Sequence, residues 1–270
     1  MDDASDADTS DCDRFETCVD AAESGGRVAL DSFRSDLVVE AKGDDPLDAV
    51  TAVDRAVQDH VFSVIGDRYP DDAVVGEEDD ALKSVPESGV AWVVDPIDGT
   101  VNYVGGNRVW MTSVAVCRDG DPVAAANYAP AVDDLYVASD GAATRNGEPI
   151  TVSETTDPAA FTINPLFGVS RPHRRELAGV VETILDEFGD LRRFGCAQAA
   201  LSGVAAGELD ATVSTVELND WDTAAGVHIL RQAGGRATDI SGERWRPGSE
   251  GLIASNDEAH EELVAAFDAT

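Results

Sequence analysis

Four groups of residues have the side-chain types and the spacing needed to bind a metal ion. They are Gly76-Glu77-Glu78, the run Asp95-Pro96-Ile97-Asp98-Gly99-Thr100, Asp54 and Trp221-Asp222. Asp95 and Asp98 lie on either side of a predicted turn whose proline fixes one φ angle, so both carboxylates can converge on one point. Carboxylate and carbonyl oxygens, including that of Ile97, are hard ligands suited to Mg²⁺. A polar turn after a strand is an equally good interpretation of this run alone.

Gly99 and Thr100 follow the aspartates directly. If a helix begins there, its first backbone N–H groups point outward and offer a seat for a phosphate group. The alternative is an ordinary helix cap that needs no ligand.

The remaining acids also have structural interpretations. Asp222 opens a predicted helix, where a carboxylate interacts favourably with the helix dipole. Asp54 can form an N-terminal capping pair with Thr51, and Glu77 and Glu78 can be solvated acids of a loop. These interpretations explain each acid separately. They do not explain why the acids accompany a helix-opening Gly-Thr pair and two aspartates at the tip of a strand.

The elements that must position these acids follow from the hydrophobic pattern. Val90–Val94 is a short β-branched run, which predicts a buried strand that ends at Asp95 and delivers its carboxylate at the strand tip. Helices are predicted over Asp13–Phe33, from Thr51 through Ile65, and over Glu176–Glu187, Ala197–Ala206 and Trp221–Gln232. Predicted strands are Met111–Cys117 with Pro122–Asn127, Leu135–Ala138 with Ile150–Val152 around an Asn146-Gly147 turn, and Ala211–Ser214.

The domain organisation is predicted in three parts. Residues 1–12 form a disordered acidic N-terminus, residues 13–150 an N-terminal α+β subdomain that carries most of the metal ligands, and residues 151–270 a C-terminal α/β subdomain. No flexible or low-complexity stretch marks a linker between the two subdomains.

The chain is strongly acidic: 53 Asp and Glu residues against 19 Lys and Arg give a formal net charge of -34. Such a field repels nucleic acids and anionic membranes, so neither is expected as a partner. The acids are dispersed along the chain, and Lys42 and Lys83 are the only lysines. Because salt screens self-repulsion, with a Debye length of about 3 Å at 1 M, the composition predicts a halophilic protein in a salt-rich cytoplasm.

The cysteines and the N-terminus agree with a cytoplasmic location. Cys12, Cys18, Cys117 and Cys196 lack the paired spacing of a zinc site, which predicts free buried thiols. Residues 1–13 lack the basic and apolar regions of a signal peptide, and no apolar run is long enough to cross a bilayer. The four histidines lie outside every motif and are interpreted as structural or surface residues.

Together these motifs resemble the inositol monophosphatase family, which also includes archaeal fructose-1,6-bisphosphatases and 3′-phosphoadenosine 5′-phosphate phosphatases. Two family signatures read here as Trp92-Val93-Val94-Asp95-Pro96-Ile97-Asp98-Gly99-Thr100-Val101-Asn102-Tyr103 and Trp221-Asp222-Thr223-Ala224-Ala225-Gly226. Supporting matches are Asp48-Ala49-Val50-Thr51 leading to Asp54, Gly76-Glu77-Glu78, Asn146-Gly147, Gly207-Glu208-Leu209-Asp210-Ala211, Ala233-Gly234-Gly235 and Ala254-Ser255-Asn256. With the acidic composition, the resemblance favours a haloarchaeal member of the family.

The resemblance implies a layered αβαβα fold, with an N-terminal α+β half and a C-terminal α/β half, and Mg²⁺ as the cofactor. By that resemblance Glu77, Asp95 and the carbonyl of Ile97 would hold one Mg²⁺. Asp95, Asp98 and Asp222 would hold a second, and Asp54 would help to hold a weaker third. Glu77 and Thr100 would orient and deprotonate the attacking water, with Asp54 positioning Thr100. A homodimer is also implied.

The substrate side is less determined by the resemblance. The residues expected to contact substrate are Asp98, Gly99, Thr100, Arg193, Gly195 and Cys196. The family's inositol phosphatases usually carry a glutamate where this chain has Ser214 and Thr215, so inositol specificity is open. Arg192 and Arg193 could bind a second phosphate through bidentate bonds, or could simply balance surface charge.

Inositol 1-phosphate and fructose 1,6-bisphosphate are therefore the leading substrates. The alternatives are a 3′-phosphoadenosine 5′-phosphate phosphatase and, in a different class, a non-catalytic metal-binding regulatory protein.

Overall fold

The computed structural model describes residues 3–36, 38–41, 49–79, 81–139, 141–167 and 173–267, so Lys42 and Asp48 of the motif matches lie outside it. The helices are α1 (Asp3–Ser32), α2 (Ala52–Arg68), α3 (Thr100–Val104), α4 (Arg174–Glu187), α5 (Ala197–Ala205), α6 (Asp220–Gln232) and α7 (His260–Phe267), with a 3₁₀ helix over Pro158–Ala160. The strands are β1 (Val39–Ala41), β2 (Ala49–Thr51), β3 (Ala73–Gly76), β4 (Val90–Asp98), β5 (Met111–Arg118), β6 (Asp121–Ala129), β7 (Asp134–Ser139), β8 (Ala142–Arg145), β9 (Glu148–Pro149), β10 (Thr162–Pro165), β11 (Asp190–Leu191), β12 (Ala211–Ser214), β13 (Arg236–Thr238) and β14 (Leu252–Ser255).

The described strands form three sheets. β1 pairs with β2, a seven-stranded sheet has the order β3-β4-β5-β6-β7-β8-β9, and a five-stranded sheet has the order β11-β10-β12-β14-β13. The larger sheet uses residues 73–149 and the smaller one residues 162–255. The change of sheet thus falls near residue 150, although the division into subdomains there stays a prediction.

Helices and sheets alternate in five layers. Helices α1 and α2 pack on one face of the seven-stranded sheet around Trp92 and Val94. Helices α5 and α6 pack on the opposite face around Val93, and they also contact β13 and β14 of the smaller sheet. Helices α4 and α7 cover the outer face of the smaller sheet around Ile163 and Ile253. This is the αβαβα arrangement that the family resemblance implied, and burial on both faces explains the continuous apolar run in β4.

Strand β4 continues past the point where the sequence predicts a turn. It runs to Asp98, and its pairing with β5 shifts register between Asp95, opposite Ser113, and Asp98, opposite Met111. The shift is a β-bulge in which Pro96 and Ile97 face one residue of β5. In a regular strand residues three apart point to opposite faces, and the extra residue of a bulge cancels that alternation. The turn predicted at Asp95 is therefore wrong, but the bulge achieves the convergence that it was meant to explain.

Two other expectations differ from the structure. Helix α1 already begins at Asp3, so residues 3–12 are helical where a disordered terminus was predicted. Extending an existing helix requires one residue to be fixed for each new hydrogen bond, so no new nucleus is needed. The Asn146-Gly147 turn forms as predicted, with φ of 53° and 81°. It joins β8 to β9, because an additional turn at Gly141 places β8 directly after β7.

The cysteines are free: Cys18, Cys117 and Cys196 are buried, whereas Cys12 is exposed. Within the described residues, no helix is both long enough and apolar enough to cross a membrane.

Candidate metal centre and active site

Three of the predicted metal ligands come together. Asp95 and Asp98, at the end of β4, and Asp222, in the first turn of α6, each place a carboxylate oxygen within 4.8 Å of the other two. Asp95 and Asp98 are buried and Asp222 is half-buried. Three carboxylates so close together repel one another strongly where little water screens them. An all-oxygen donor set of this charge fits a hard divalent cation such as Mg²⁺.

The start of α5 holds Asp98. Its carboxylate accepts hydrogen bonds from Cys196 Sγ at 3.0 Å, from the main-chain N of Ala197 at 3.2 Å and from that of Gln198 at 2.5 Å. The pKa of Asp98 is raised to about 6, because burial, with a smaller contribution from the charge of Glu77, outweighs the lowering effect of these hydrogen bonds. Burial thus destabilises the charged form of the Asp98 carboxylate, and a bound cation would stabilise it.

Asp222 is held by the residue that precedes its helix. Asn219 is the N-cap of α6, and its Nδ2 donates to Asp222 Oδ2 at 2.9 Å. The neighbouring Asp220 is buried and accepts main-chain hydrogen bonds from Val85 at 2.8 Å and Gly248 at 2.9 Å. Both carboxylates lie at the positive end of the helix dipole, which stabilises them.

Glu77 lies immediately after β3, which runs parallel to β4 with Gly76 beside Val94. Glu77 is half-buried, and its charge acts on Asp98. Lys83 holds this segment, because its Nζ donates to the carbonyl oxygens of residues 76, 77 and 78 at 3.1, 3.0 and 3.3 Å. The same Nζ lies 5.6 Å from the centroid of the Trp221 ring, which connects the segment to α6.

Glu78 differs from the interpretation as a solvated acid. It is buried, and its main chain is held at both ends by the side chain of Gln58. Gln58 accepts from Glu78 N at 2.8 Å and donates to Glu78 O at 3.1 Å. This clamp on the main chain fixes the direction in which the preceding Glu77 leaves β3.

Asp54 forms the predicted capping pair. Its Oδ2 accepts from Thr51 N at 2.8 Å and Thr51 Oγ1 at 2.6 Å, while Thr51 Oγ1 accepts from Val53 N at 3.1 Å. Asp54 is buried and lies near α3. Burial of Tyr103, and then the charge of Asp54, raise the pKa of Tyr103 to about 12. The Thr100 hydroxyl donates to Ile97 O at 3.1 Å. Because a hydroxyl has one proton, donation to Ile97 and donation to Asp54 are alternatives.

The predicted substrate-contacting segments also meet. Gly99 has φ of 87°, and a Cβ there would lie 3.1 Å from Cys196 Cβ and 3.2 Å from Gly195 O. Asn102 ties α3 to the same segment by donating to Phe194 O at 2.8 Å. Arg193 is exposed and donates weakly to Phe167 O at 3.4 Å. Arg193 also lies beside Gly195, because a Cβ on that glycine would be 3.5 Å from Arg193 Nη1.

Arg192 has a different role from its neighbour. It pairs with Asp190 at 2.5 Å on the surface, which fits the interpretation as charge balance. The histidines contribute nothing to the described cluster of carboxylates, and His228 and His260 are buried.

Several residues that support the site were missed by the sequence reasoning. Asn219 had a usable signal, because Asn is a preferred residue immediately before a helix. Lys83 had a weaker one, as one of only two lysines in the chain. Gln198 had no sequence signal, because a glutamine within a predicted helix is not distinguished by its type or spacing from one on the surface.

Comparisons with known proteins give a consistent result. The family described as the inositol monophosphatase family matches residues 13–270. "Inositol monophosphatase 3" of Solanum lycopersicum is 30% identical over 94% of this chain and 96% of that protein. "Fructose-1,6-bisphosphatase/inositol-1-monophosphatase" of Aquifex aeolicus is 33% identical over 90% of this chain and 91% of that one. The solved structure of a Thermotoga maritima IMPase superposes with a TM-score of 0.84 at 30% identity, covering 95% of this chain and 97% of its own.

Proposed function

The chain belongs to the inositol monophosphatase family, and we propose that it hydrolyses the phosphate ester of a small sugar or polyol with Mg²⁺ as its cofactor. Its relatives' names identify it as a phosphoric monoester hydrolase. The observation that carries the proposal for this chain is the convergence of Asp95, Asp98 and Asp222 at the end of β4 and the start of α6.

Two principal metal positions and a weaker third are proposed. Glu77, Asp95 and the carbonyl oxygen of Ile97 would hold one Mg²⁺, and Asp95, Asp98 and Asp222 a second. Asp54 would contribute to a third. When bound, the metal ions supply a clamp for the phosphate oxygens and a lowered pKa for the attacking water.

The chain's own groups would orient the water and its proton. Glu77 is the proposed general base, and its position after β3 is supported by the contacts of Lys83 and Gln58. Thr100 would accept or pass on the proton through Oγ1, which lies at the start of α3 beside Ile97 O. Asp54 would position Thr100. Main-chain N–H groups near Gly99 and Thr100 would face the phosphate, and Gly195 and Cys196 would line the same side.

The proposed substrates are inositol 1-phosphate and fructose 1,6-bisphosphate, or both. The second phosphate of the bisphosphate requires a cationic group, and a guanidinium suits it. Arg193 is the better of the two candidates because Arg192 is already engaged with Asp190, whereas Arg193 lies beside Gly195. The names of relatives include both activities, which favours neither substrate over the other.

A substrate panel tests the proposal. Phosphate release would be measured from inositol 1-phosphate, fructose 1,6-bisphosphate and 3′-phosphoadenosine 5′-phosphate with Mg²⁺ in molar KCl, with Asp98→Asn as the inactive control. We expect release from one or both of the first two and at least about a 10³-fold lower rate for the variant, since several kcal/mol of metal-dependent stabilisation are lost. Turnover of only the nucleotide would favour the adenosine phosphatase, and no turnover at all would favour a regulatory protein.

Oligomeric state is a separate part of the proposal. We expect a homodimer, and light scattering in molar KCl would give twice the chain mass if this is correct. A monomer would refute it without affecting the phosphatase.

A further inference from the structure

Gln198 is a completely buried residue in the first turn of α5 that bonds to Asp98 and to the residue that precedes Asp222. Its main-chain N donates to Asp98 Oδ2 at 2.5 Å. Its side-chain Nε2 donates to the carbonyl oxygen of Trp221 at 2.8 Å, and Trp221 directly precedes Asp222. One residue therefore connects a carboxylate on β4 to the residue beside a carboxylate on α6.

The orientation of the Gln198 amide is fixed by its other partners. Oε1 accepts from Gly226 N at 2.8 Å and from Asn127 Nδ2 at 2.9 Å, which uses both of its lone pairs. With two donors aimed at one end of the amide, that end must be the oxygen, so the NH₂ group must face Trp221 O.

Asn127 is held in turn by the seven-stranded sheet. It lies on β6, where Ser113 Oγ of β5 donates to its Oδ1 at 2.7 Å. Its Nδ2 also donates to Ser202 Oγ of α5 at 3.1 Å. Ser113, Asn127, Gln198 and Ser202 are all buried. Buried polar networks of this kind rigidify the elements that they join.

The contact between α5 and α6 is close enough for a small change to matter. A Cβ on Gly226 would lie 2.5 Å from Leu201 Cβ and 2.8 Å from Gln198 Oε1. The two helices therefore approach at the distance that only glycine permits, and the hydrogen bonds of Gln198 fix their relative position along the interface. An apolar side chain at 198 would leave Gly226 N and Trp221 O buried without these partners.

We propose that Gln198 is a positioning residue that sets the separation of Asp98 and Asp222 and, through it, the affinity for the divalent cation that they share. The inference rests on the proposed function, because it requires a cation between these two carboxylates. Groups that orient metal ligands from outside the coordination sphere typically contribute about 10- to 100-fold to metal affinity. The expected effect of losing the Gln198 amide lies in that range.

The test measures Mg²⁺ binding directly, by isothermal titration calorimetry of the whole chain without substrate. Gln198→Met keeps the length of the side chain and removes the hydrogen bonds of its amide group. The main-chain N–H of residue 198 can still donate to Asp98. Thr212→Val is the matched control, since it removes a different buried hydrogen bond, from Thr212 Oγ1 to Asn164 O at 2.7 Å on β12. Unfolding curves for both variants report the purely structural cost.

We expect Gln198→Met to raise the Mg²⁺ dissociation constant about tenfold or more, with kcat recovering to within a few-fold at saturating Mg²⁺. Thr212→Val should lose stability while binding Mg²⁺ as the wild type does. Unchanged Mg²⁺ affinity in Gln198→Met would overturn the inference and leave the proposed function intact. A wild type that binds no Mg²⁺, or binds it equally well as Asp98→Asn, would refute both. If Gln198→Met does not fold, Gln198→Asn replaces it, because its shorter amide cannot span the same partners, and the same criterion applies.

Discussion

Nδ2 of Asn219 donates a hydrogen bond of 2.9 Å to Oδ2 of Asp222, three residues along the chain. Asn219 occupies the N-cap position of α6, yet its side chain makes no capping hydrogen bond to the helix main chain. The residue type favoured for capping is thus used to orient a candidate metal ligand instead.

Asn219→Ala should therefore separate the two roles. Because no capping bond is lost, we expect the free energy of unfolding to change by less than the usual cost of about 1 kcal/mol for removing a cap. The apparent Mg²⁺ requirement for phosphate release should rise about tenfold, because the Asp222 carboxylate loses its orienting donor. Mg²⁺ titrations of activity and denaturant unfolding curves measure the two quantities.

Asp157→Ala is the control for that variant. It removes a real capping hydrogen bond, from Ala159 N to Asp157 Oδ1 at 3.0 Å, in a 3₁₀ helix that carries no candidate ligand. It should lose stability without changing the Mg²⁺ requirement. If Asn219→Ala shows the same pattern as Asp157→Ala, the orienting role of Asn219 is wrong.

The capping box of α2 allows a second prediction, about Asp54. Thr51→Ala and Asp54→Ala each remove two of the three hydrogen bonds of the box, so each should lower the free energy of unfolding by about 1 kcal/mol. Only Asp54→Ala should also lower kcat, by about 10²-fold, because it alone removes the carboxylate proposed to position Thr100. In Thr51→Ala the Asp54 carboxylate keeps the main-chain N–H of residue 51, at 2.8 Å in the wild type.

Steady-state kinetics at saturating Mg²⁺ and unfolding curves on both variants check this prediction. Equal losses of kcat in the two would mean that the cap, and not a catalytic role of Asp54, explains the effect. Asp54→Asn, which keeps the shape of the side chain, should resemble Asp54→Ala in kcat.

The sequence predicted those parts of the molecule that depend on local pattern. The apolar run of β4, the cap at Thr51 and the Asn146-Gly147 turn are each encoded within a few residues, and each is present. The convergence of Asp95 and Asp98 was anticipated, but its cause was not. A β-bulge depends on the register against β5, which no local pattern around Pro96 reveals.

The supporting residues of the site were hidden for a related reason. Gln198 bonds to Asp98, 100 positions away, and to Asn127, 71 positions away. Such contacts arise only when α5 is already packed between the two sheets. Lys83 binds nearby carbonyl groups, but a lysine in a loop is ordinarily solvated, so its contacts also emerge only from the fold.

Buried His260 gives a prediction about pH. Its Nδ1 lies 2.8 Å from Ser255 Oγ and its Nε2 lies 2.9 Å from Thr238 Oγ1. Burial, and then the charge of Arg236, lower its pKa to about 4, while Asp257 and Glu261 raise it. Below an unfolded-state pKa of about 6.5 the unfolded chain binds a proton that the folded chain does not. The stability due to neutral His260 is therefore present above that pH and lost as the pH falls toward 4.

The measurement compares the wild type with His260→Gln at pH 7 and pH 5, so that every other titrating group cancels. Protonation of this histidine in the unfolded chain costs the wild type about 2 kcal/mol at pH 5, which lies about 1.5 pH units below the unfolded-state pKa, at about 1.36 kcal/mol for each unit. The destabilisation caused by His260→Gln should thus be about 2 kcal/mol smaller at pH 5 than at pH 7. A difference that does not change with pH would show that folding does not lower the pKa of His260.

The final prediction concerns the net charge of -34. Salt acts in two opposite directions on such a chain, because it screens the general repulsion and also weakens favourable ion pairs. Most of the described pairs are exposed: Arg68 and Asp20, at 3.0 Å, have side chains that are 51% and 55% accessible, whereas Arg14 and Asp72 are 14% and 15% accessible. Exposed pairs of this kind contribute about 0–1 kcal/mol each, so their loss is small. Repulsion among 53 acids outweighs that loss, and screening it favours the compact state.

The free energy of unfolding should therefore rise between about 0.1 M and 1 M KCl, as the Debye length falls from about 10 Å to about 3 Å. Urea unfolding at a series of KCl concentrations measures this, because urea adds no charge of its own. Replacing exposed acids on the first two helices by Glu16→Gln, Asp59→Asn and Asp67→Asn should reduce the slope, since less repulsion remains to be screened. Stability that falls with KCl, or a slope unaffected by the three substitutions, would show that charge repulsion does not govern the salt response.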